Sequence, residues 1–514
     1  MVELLSNLAL GFDTAFSAQN LFYCFLGVFL GTFIGVLPGI GSLATIALLL
    51  PITFHLPSTS ALIMLAGIYY GSVYGGSTAS ILLNLPGTPS TAVTCLDGYP
   101  MAQKGRAGVA LFGTTVASFV GASLGIIILT LFAPAIAEFA LRFGPAEYFA
   151  MMLLGLVAAS TLSSGSPAKG IAMVVLGLIM GIVGTDVNSG VLRFTFGIPE
   201  LSDGFSLVAI AMGLFGVSEV IASIDRMRRG GGPPKGRIGF RAMWPTRDDW
   251  RRSGFPMLRG TGIGAFFGAL PGAGGTIAAF MSYAVEKKVA DDPSRFGKGA
   301  IEGIMGPEAA NNAACNTAFI PTLTLGIPGD VVMALMLGAL MIHGIAPGPQ
   351  LMVEHPHLFW GLIASFWIGN VLLVALNIPL IGIWVKFLQI PYYILYPGIL
   401  LFVCLGVYSV NNNVFDIYLV VFFGAMGYVM MLLKFEPAPL VLGFVLGPLM
   451  EENLRRAMLL SRGDPMVFLQ RPISAALTIT TVVLLVWAVW AQVRGRKRFA
   501  SVAAPDDGAA ESAR

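Results

Sequence analysis

Apolar runs of roughly 18 residues or more recur along the whole chain, among them 107–133, 205–224 and 473–491. Runs of that length predict membrane-spanning helices rather than the strands of a barrel. Two apolar stretches are broken from within: "GTFIGVLPGIGS" at 31–42 and "GAFFGALPGAGG" at 264–275 each place a proline and several glycines at mid-run. Aligned at an offset of 233, residues 27–41 and 260–274 are identical at eight of 15 positions: Gly27, Gly31, Phe33, Gly35, Leu37, Pro38, Gly39 and Gly41 all recur. A weaker echo follows each copy, "LLNLPGTP" at 82–89 and "LTLGIPGD" at 323–330. An internal repeat of this kind organises the reading of everything else.

The flanks of each broken segment share one charge character, so the chain is expected to enter the membrane there and return. Residues 22–37 and 42–56 number 16 and 15, about 22–24 Å of helix each, against a hydrocarbon core of ~30 Å. These lengths predict re-entrant helical hairpins with PGIG and PGAGG at their tips. Two ordinary spanning helices with kinks are the alternative. The rows Gly27, Gly31, Gly35 and Gly260, Gly264, Gly268 put small residues on one helix face and predict close helix packing.

Composition agrees with a bilayer setting. The 514 residues are 56% hydrophobic and 11% charged, with a mean hydropathy of +0.81, whereas soluble domains carry about 25% charged residues. Glycine and proline cluster inside the apolar runs, and broken helices at membrane depth survive only where protein or an aqueous cavity satisfies the freed backbone. Between Arg226 and Arg259 lie ten Lys or Arg against two acids, which assigns this linker, and the tail "RGRKR" at 494–498, to the cytoplasm. The first broken segment is flanked by Glu3, Asp13 and the uncharged "PITFHLPSTS"; the second by the basic linker and "EKKVADDPSRFGKG". Beyond the second motif the bias reverses, with Lys104 and Arg106 in the first half and no Lys or Arg in "HGIAPGPQLMVEHPH". The halves are therefore expected to be inverted relative to each other, the repeat typical of secondary transporters. The expected division is 1–224 for the first half, 225–255 for the linker, 256–493 for the second half and 494–514 for the tail. The N-terminus lacks the basic region of a cleaved signal peptide, so residue 1 is expected to remain.

A helix that starts at mid-membrane aims unpaired N–H groups and a positive dipole end at what precedes it, and a carboxylate is the natural ligand. Ser42 and Thr276 follow the tips and are suited to cap the outgoing helices or to bind solute. The substrate-binding candidates are Pro38, Gly39, Gly41 and Ser42 at the first tip, with Ser77, Thr78, Asn84, Gly87 and Thr88 in its echo. Their counterparts are Pro271, Gly272, Gly274, Gly275 and Thr276, with Asn311, Asn312 and Gly329. Asn316, Thr317 and Asp330 are candidates for a coupling cation, and Asp330 is equally suited to be a helix N-cap. Glu308 adds polarity to the same stretch. No Lys or Arg occurs in the polar stretches, so an anion there relies on helix dipoles, amides and bound cations. The stretch 184–204, with Asp186 and Arg193, is expected to be structural. Cys24, Cys95, Cys315 and Cys404 lack CxxC spacing, which argues against a zinc or redox site; no cofactor is expected beyond Na⁺ or H⁺ as coupling ion.

With these residues in view, the chain resembles the TctA family, the large membrane subunit of the tripartite tricarboxylate transporters. The resemblance is carried by "GVLPGIGS", "YGGSTASILLNLPGTPSTAVTCLDGYPMAQKG", "RFTFGIPELSDG", "GALPGAGG", "EAANNAACNTAFIPTLTLGIPGD" and "PLVLGFVLGPLMEENLRRA", from about residue 20 to 460. It implies a multi-pass permease of the bacterial inner membrane working with a small TctB-like membrane subunit and a TctC-like periplasmic solute-binding protein. It also implies secondary transport, coupled to Na⁺ or H⁺, of citrate or a related carboxylate.

Other classes fit less well. No GxxxxGK[ST] is present for an ATP-driven pump. "GIPGD" superficially resembles the GxGD of aspartyl intramembrane proteases, yet a dyad needs a second buried Asp. A nucleic-acid partner is not expected, since the basic runs read as topology signals beside apolar spans. A passive channel is the remaining alternative, because hairpin tips also line pores. If the tips bind solute, Gly39→Leu and Gly272→Leu are expected to abolish uptake while leaving membrane insertion intact, as read by labelled-solute uptake and membrane fractionation.

Overall fold

The computed structural model describes residues 2–37, 40–162, 166–186, 188–226, 240–388 and 392–502; Pro38, Gly39, most of the basic linker and the end of the tail lie outside them. The described chain is almost wholly helical. In the first half α1 (Val2–Ala15) precedes α2 (Ala18–Gly35), whose start is fixed by Ser17 accepting the Asn20 N–H. Beyond the first tip come α3 (Ser42–Thr53) and α4 (Ser58–Leu83), which stops where Asn84 turns left-handed at φ 57°. A 3₁₀ turn at Pro89–Thr91 opens α5 (Ala92–Met101), and a π turn leads to α6 (Ala107–Ala140), α7 (Pro145–Leu162) and α8 (Pro167–Gly181). The apolar run at 205–224 is not one helix. A π turn at Met212–Val217, where Gly213 lies against Val420 and Phe423, separates α9 (Leu207–Ala211) from α10 (Ser218–Arg226).

The second half begins with α11 (Arg247–Ala269), started by a reciprocal cap between Thr246 and Asp249. Then come α12 (Gly274–Val289), α13 (Glu302–Thr317) and α14 (Phe319–Leu325), a left-handed Gly326 at φ 68°, and α15 (Val331–Ile342). The chain continues through α16 (Leu351–Glu354), α17 (Pro356–Asn377), α18 (Ile381–Phe387), α19 (Tyr392–Asn411), α20 (Val414–Leu432), α21 (Ala438–Leu460), α22 (Val467–Gln470) and α23 (Pro472–Val502). Among the described residues, five helical stretches are long and apolar enough to cross a membrane: Ala18–Gly35, Pro89–Ala140, Pro356–Asn377, Val414–Leu432 and Pro472–Trp490. The protein is an all-α, multi-pass membrane protein.

The helices on either side of each tip are unequal, which departs from the expected lengths. The outgoing helices α3 and α12 have 12 and 16 residues, about 18 and 24 Å, and fall short of a ~30 Å core. The incoming helices are longer, 18 residues in α2 and 23 in α11, and α11 owes its extra turns to the polar stretch Arg247–Arg252.

The glycine rows do what their spacing predicts. A Cβ on Gly27, Gly31 or Gly35 would run into the backbone of Met64, Ile68 or Ser72 of α4, and Gly67, Gly71 and Gly75 of α4 return the contact against α2. In the second half Gly260, Gly264 and Gly268 lie in the same way on Gly306, Ala310 and Ala314 of α13. The partner residues 64, 68 and 72 correspond to 306, 310 and 314 at a constant offset of 242. That offset also pairs the left-handed Asn84 with Gly326, Gly87 with Gly329, and Thr88 with Asp330. The repeat is therefore a repeat of packing as well as of sequence.

Helix α6 serves as the spine, with Gly121 and Gly125 pressed onto Ala309 and Ala313 of α13. Around this centre α17 packs on α1 and α4, α8 on α21, and α7 on α23. The 184–204 stretch is structural: β1 (Gly184–Thr185) pairs with β2 (Leu192–Arg193), and Asp186 is held by Arg455 at 2.9 Å. The Asn188 N–H, the Ser189 hydroxyl and Arg455 hold its carboxyl well below the usual carboxylate range. The four cysteines are free, two of them buried.

Overpacking a close helix contact costs about 1–3 kcal/mol, and more against an unyielding backbone. Gly31→Leu and Gly264→Leu are expected to lose most of the monodisperse folded protein on fluorescence-detected size-exclusion chromatography. Gly262→Leu, on the same helix but with open space at its Cβ, should leave it unchanged.

Candidate functional site

Four chain breaks meet at the centre of the fold. Within each half the tip touches its own echo: Gly41 faces Gly87 and Pro89, the Gly272 N–H donates to the Gly329 carbonyl at 2.7 Å, and Gly274 faces Asp330. Between halves the contacts cross, α3 packing against α15 and α12 against the turn at Pro89–Thr91. Residues from opposite halves of the chain thus become neighbours in one polar cluster, as in Tyr69 with Asp330 and Tyr70 with Asn316.

The helix starts in this cluster are of two kinds. Thr88 and Thr91 cap each other reciprocally, and Asp330 Oδ1 accepts from the Met333 N–H at 2.9 Å while Oδ2 accepts from the Tyr69 hydroxyl at 3.1 Å. Asp330 is an N-cap, as its place before an apolar run allows. By contrast α3 and α12 begin behind Gly41 and Ala273, and neither start has a side-chain cap. Ser42 and Thr276, expected either to cap the outgoing helices or to bind solute, occupy the first and third positions of those helices and so do not cap them; Ser42 is buried and Thr276 half-buried. The correction has a simple cause. The cap position belongs to the last non-helical residue, one to three places earlier, and here it holds residues without a side-chain acceptor.

Asn311 completes the second start. Its side chain is 2% exposed, its Oδ1 stands against Gly275 where a Cβ would sit, and its Nδ2 has no acceptor. A buried amide N–H without a partner costs about 1–3 kcal/mol. Asn311 Oδ1 thus stands at the first turn of α12, which has no side-chain cap, and the same amide carries a buried N–H donor without a protein partner.

Other predicted residues are satisfied within the protein. Asn312 Nδ2 donates to Ser118 Oγ at 2.8 Å, Asn316 Nδ2 to the Asn312 carbonyl at 2.9 Å, and Thr317 Oγ1 to the Ala313 carbonyl at 3.1 Å. Tyr70 donates to Asn316 Oδ1 at 2.8 Å, so these amides tie helices together. Ser77 donates to Glu308 at 2.8 Å, and Thr78 lines a small cavity beside it. Asn84 is exposed at the end of α4, and Gly87 is wedged against Gly76 and the Gly35 carbonyl. Pro271 is half-buried near Gly155. Gly272 has φ +83° and lies on Ala159, so Gly272→Leu strains the backbone and collides with α7. Loss of uptake in that variant therefore reports on folding as well as on binding. Pro38 and Gly39 lie outside the described residues.

Sequence reading passed over Tyr69 and Tyr70, which reach Asp330 and Asn316 from α4, and Ser118 of α6. Adjacent tyrosines inside "GIYYGSVYGG" were the available signal, since a buried phenol needs a polar partner. The described ion pairs all lie away from this cluster, for example Arg106–Asp249, Arg259–Glu286 and Arg471–Glu147. Among the described residues no group of His, Cys, Asp and Glu is arranged to hold a metal ion.

The model of the tripartite tricarboxylate transporter TctA family matches residues 21–442. The chain belongs to that family. It is 51% identical over 501 residues, 97% of this chain and 98% of the relative, to an Agrobacterium vitis protein described as an "uncharacterized 52.8 kDa protein in TAR-I ttuC' 3'region". A second Agrobacterium vitis protein, described as an "uncharacterized protein in TAR-II ttuC' 3'region", is 55% identical over 234 residues, 46% of this chain and 97% of that relative. No solved structure matches the chain. The matched span contains both tips, both echoes and all the crossing contacts of the central cluster.

Removing an N-cap side chain costs about 1 kcal/mol, while Asn caps as well as Asp. Asp330→Ala is expected to lower the thermal unfolding midpoint of the purified protein, and Asp330→Asn to restore it.

Proposed function

We propose that this TctA-family chain is the permease subunit of a secondary transporter that imports a carboxylate with co-transported Na⁺ or H⁺. The solute is citrate or a related di- or monocarboxylate, held between the starts of α3 and α12. The observation that carries this reading is the pairing of two uncapped helix starts with the unpartnered Asn311 amide, in a cluster whose described residues include no basic side chain. Helix N-termini receive anions without a fixed cation, and the glycines admit the ligand to the backbone.

Energetics require the coupling ion. Bringing one net negative charge inward against the membrane potential costs about 2.3 kcal/mol per 100 mV, so a multivalent carboxylate needs cations to accompany it. A cavity beside the first tip, walled in part by Ile40 and Ala44, has about 10 Å³ of free space, room for one water. In this reading, a solute entering there displaces the first tip. The opposite charge bias of the halves supports an inverted repeat, and alternating access is the motion such a repeat performs. In this reading the protein sits in a bacterial inner membrane, receives solute from a TctC-like periplasmic binding protein, and works beside a TctB-like small subunit.

The test is uptake of radiolabelled citrate and of shorter carboxylates into proteoliposomes containing all three subunits. Saturable accumulation that depends on a Na⁺ or proton gradient is expected, with Asn311→Leu raising the half-saturation concentration by roughly tenfold for one lost hydrogen bond to a charged group. Flux that neither saturates nor responds to either gradient would show a passive channel instead.

A further inference from the structure

Glu308 of α13 is 1% exposed and carries the buried carboxyl group of the central cluster. Its Oε1 accepts from Ser77 Oγ at 2.8 Å and Thr94 Oγ1 at 2.6 Å, and its Oε2 accepts from Ser118 Oγ at 3.3 Å. Ser118 Oγ in turn accepts from Asn312 Nδ2 at 2.8 Å, which leaves its own proton for the carboxylate. None of the ion pairs among the described residues includes Glu308. Unlike Asp330, it caps no helix, so its charge has no structural task that the fold accounts for.

A cavity adjoins this carboxyl group. It has about 10 Å³ of free space; Ser77, Thr78, Thr114, Thr115, Ser118 and Asn377 supply most of its polar wall, and Leu111 and Ile381 an apolar side. Ser77 and Ser118 belong both to the wall and to the hydrogen-bond shell of Glu308, so the cavity is one hydroxyl layer from the carboxylate. Its polar lining consists of hydroxyl and amide groups, its volume suits one water or one small ion, and the nearest formal charge is negative.

We infer that Glu308, its hydroxyl shell and this cavity form a Na⁺ site. A buried carboxylate without a counter-charge costs several kcal/mol even when hydrogen-bonded, and a small hard cation surrounded by neutral oxygen atoms removes that cost. The residues come from both halves and from the spine: Ser77 and Thr94 from the first, Glu308 from the second, Ser118 from α6. An ion here clamps α4, α5, α6 and α13 together, which links its occupancy to the arrangement of the halves. As a cation site the inference stands on this geometry alone; as the coupling site it rests on the transport reading. It differs from the positions Asn316, Thr317 and Asp330, whose side chains are engaged elsewhere.

The experiment is thermal unfolding of the purified full-length protein in detergent, titrated with NaCl against choline chloride at constant ionic strength, at pH 6 and pH 8. Wild type is expected to gain stability with Na⁺ and not with choline. Glu308→Gln is expected to be more stable than wild type in choline, because the lone charge is gone, and to lose the Na⁺ response. Thr115→Val, which removes one cavity oxygen without touching Glu308, is expected to shift the half-effect concentration upward by roughly tenfold. A wild type that responds to pH but not to Na⁺, or a Glu308→Gln protein that keeps the full Na⁺ shift, would overturn the site. Gradient-driven uptake without Na⁺ stabilisation would remove this site and leave the transport reading; Na⁺ stabilisation lost in Glu308→Gln without uptake would do the reverse.

Discussion

Backbone-to-backbone contact between helices is the constraint on which the rest of this structure depends. In a bilayer, apolar side chains gain little by leaving lipid for protein, so helix pairs must be held by packing and hydrogen bonds. Here the rows Gly27, Gly31, Gly35 and Gly260, Gly264, Gly268 let α2 and α11 settle directly on the carbonyls of α4 and α13. That closeness fixes where each incoming helix ends, and hence where Gly41 and Ala273 release the chain into α3 and α12. A side chain in either row would lift the helix and carry its tip away from the centre.

The same economy governs polarity. The fold brings four chain breaks, the buried Glu308 carboxylate, the partly buried Asp330 and a set of amides and hydroxyls together while keeping its described ion pairs at the periphery. Permanent positive charge would hold an anion too firmly to release it and would itself need burial. In the proposed reading, helix starts, amides and an exchangeable cation would provide the same attraction in a form that motion can switch. Capped and uncapped starts divide the work. Asp330 and Thr88 satisfy the helices that need only be stable, and the starts of α3 and α12 are left open.

Much of this was legible in the sequence, and the parts that were not share a physical reason. The glycine rows could be read because their spacing matches the helical period, and the tips because proline and glycine interrupt an apolar run. Asp330, open from its sequence between a cation-coupling role and an N-cap, is an N-cap before "VVMALMLGAL". Of the two roles open to Ser42 and Thr276, capping is ruled out because a cap is the last non-helical residue, which one-dimensional spacing leaves uncertain by a turn. Equal hairpin arms were expected from hydropathy alone, which does not register the polar turns that lengthen α11. The shell of Glu308 was invisible for a different reason. Its donors come from positions 77, 94 and 118, and only the packing of α4, α5 and α6 on α13 brings them to one carboxyl group.

The central claim is that the starts of α3 and α12 flank one carboxylate. Single cysteines at Ser42 and Thr276, in a background with Cys24, Cys95, Cys315 and Cys404 replaced by Ser or Ala, place a thiol in the first turn of each helix. Their alkylation rates in the reconstituted three-subunit system, with and without saturating transported carboxylate and the coupling cation, test the claim most directly. The account predicts that solute slows alkylation at both positions together. Rates at both positions that stay unchanged while the solute is being transported would contradict it.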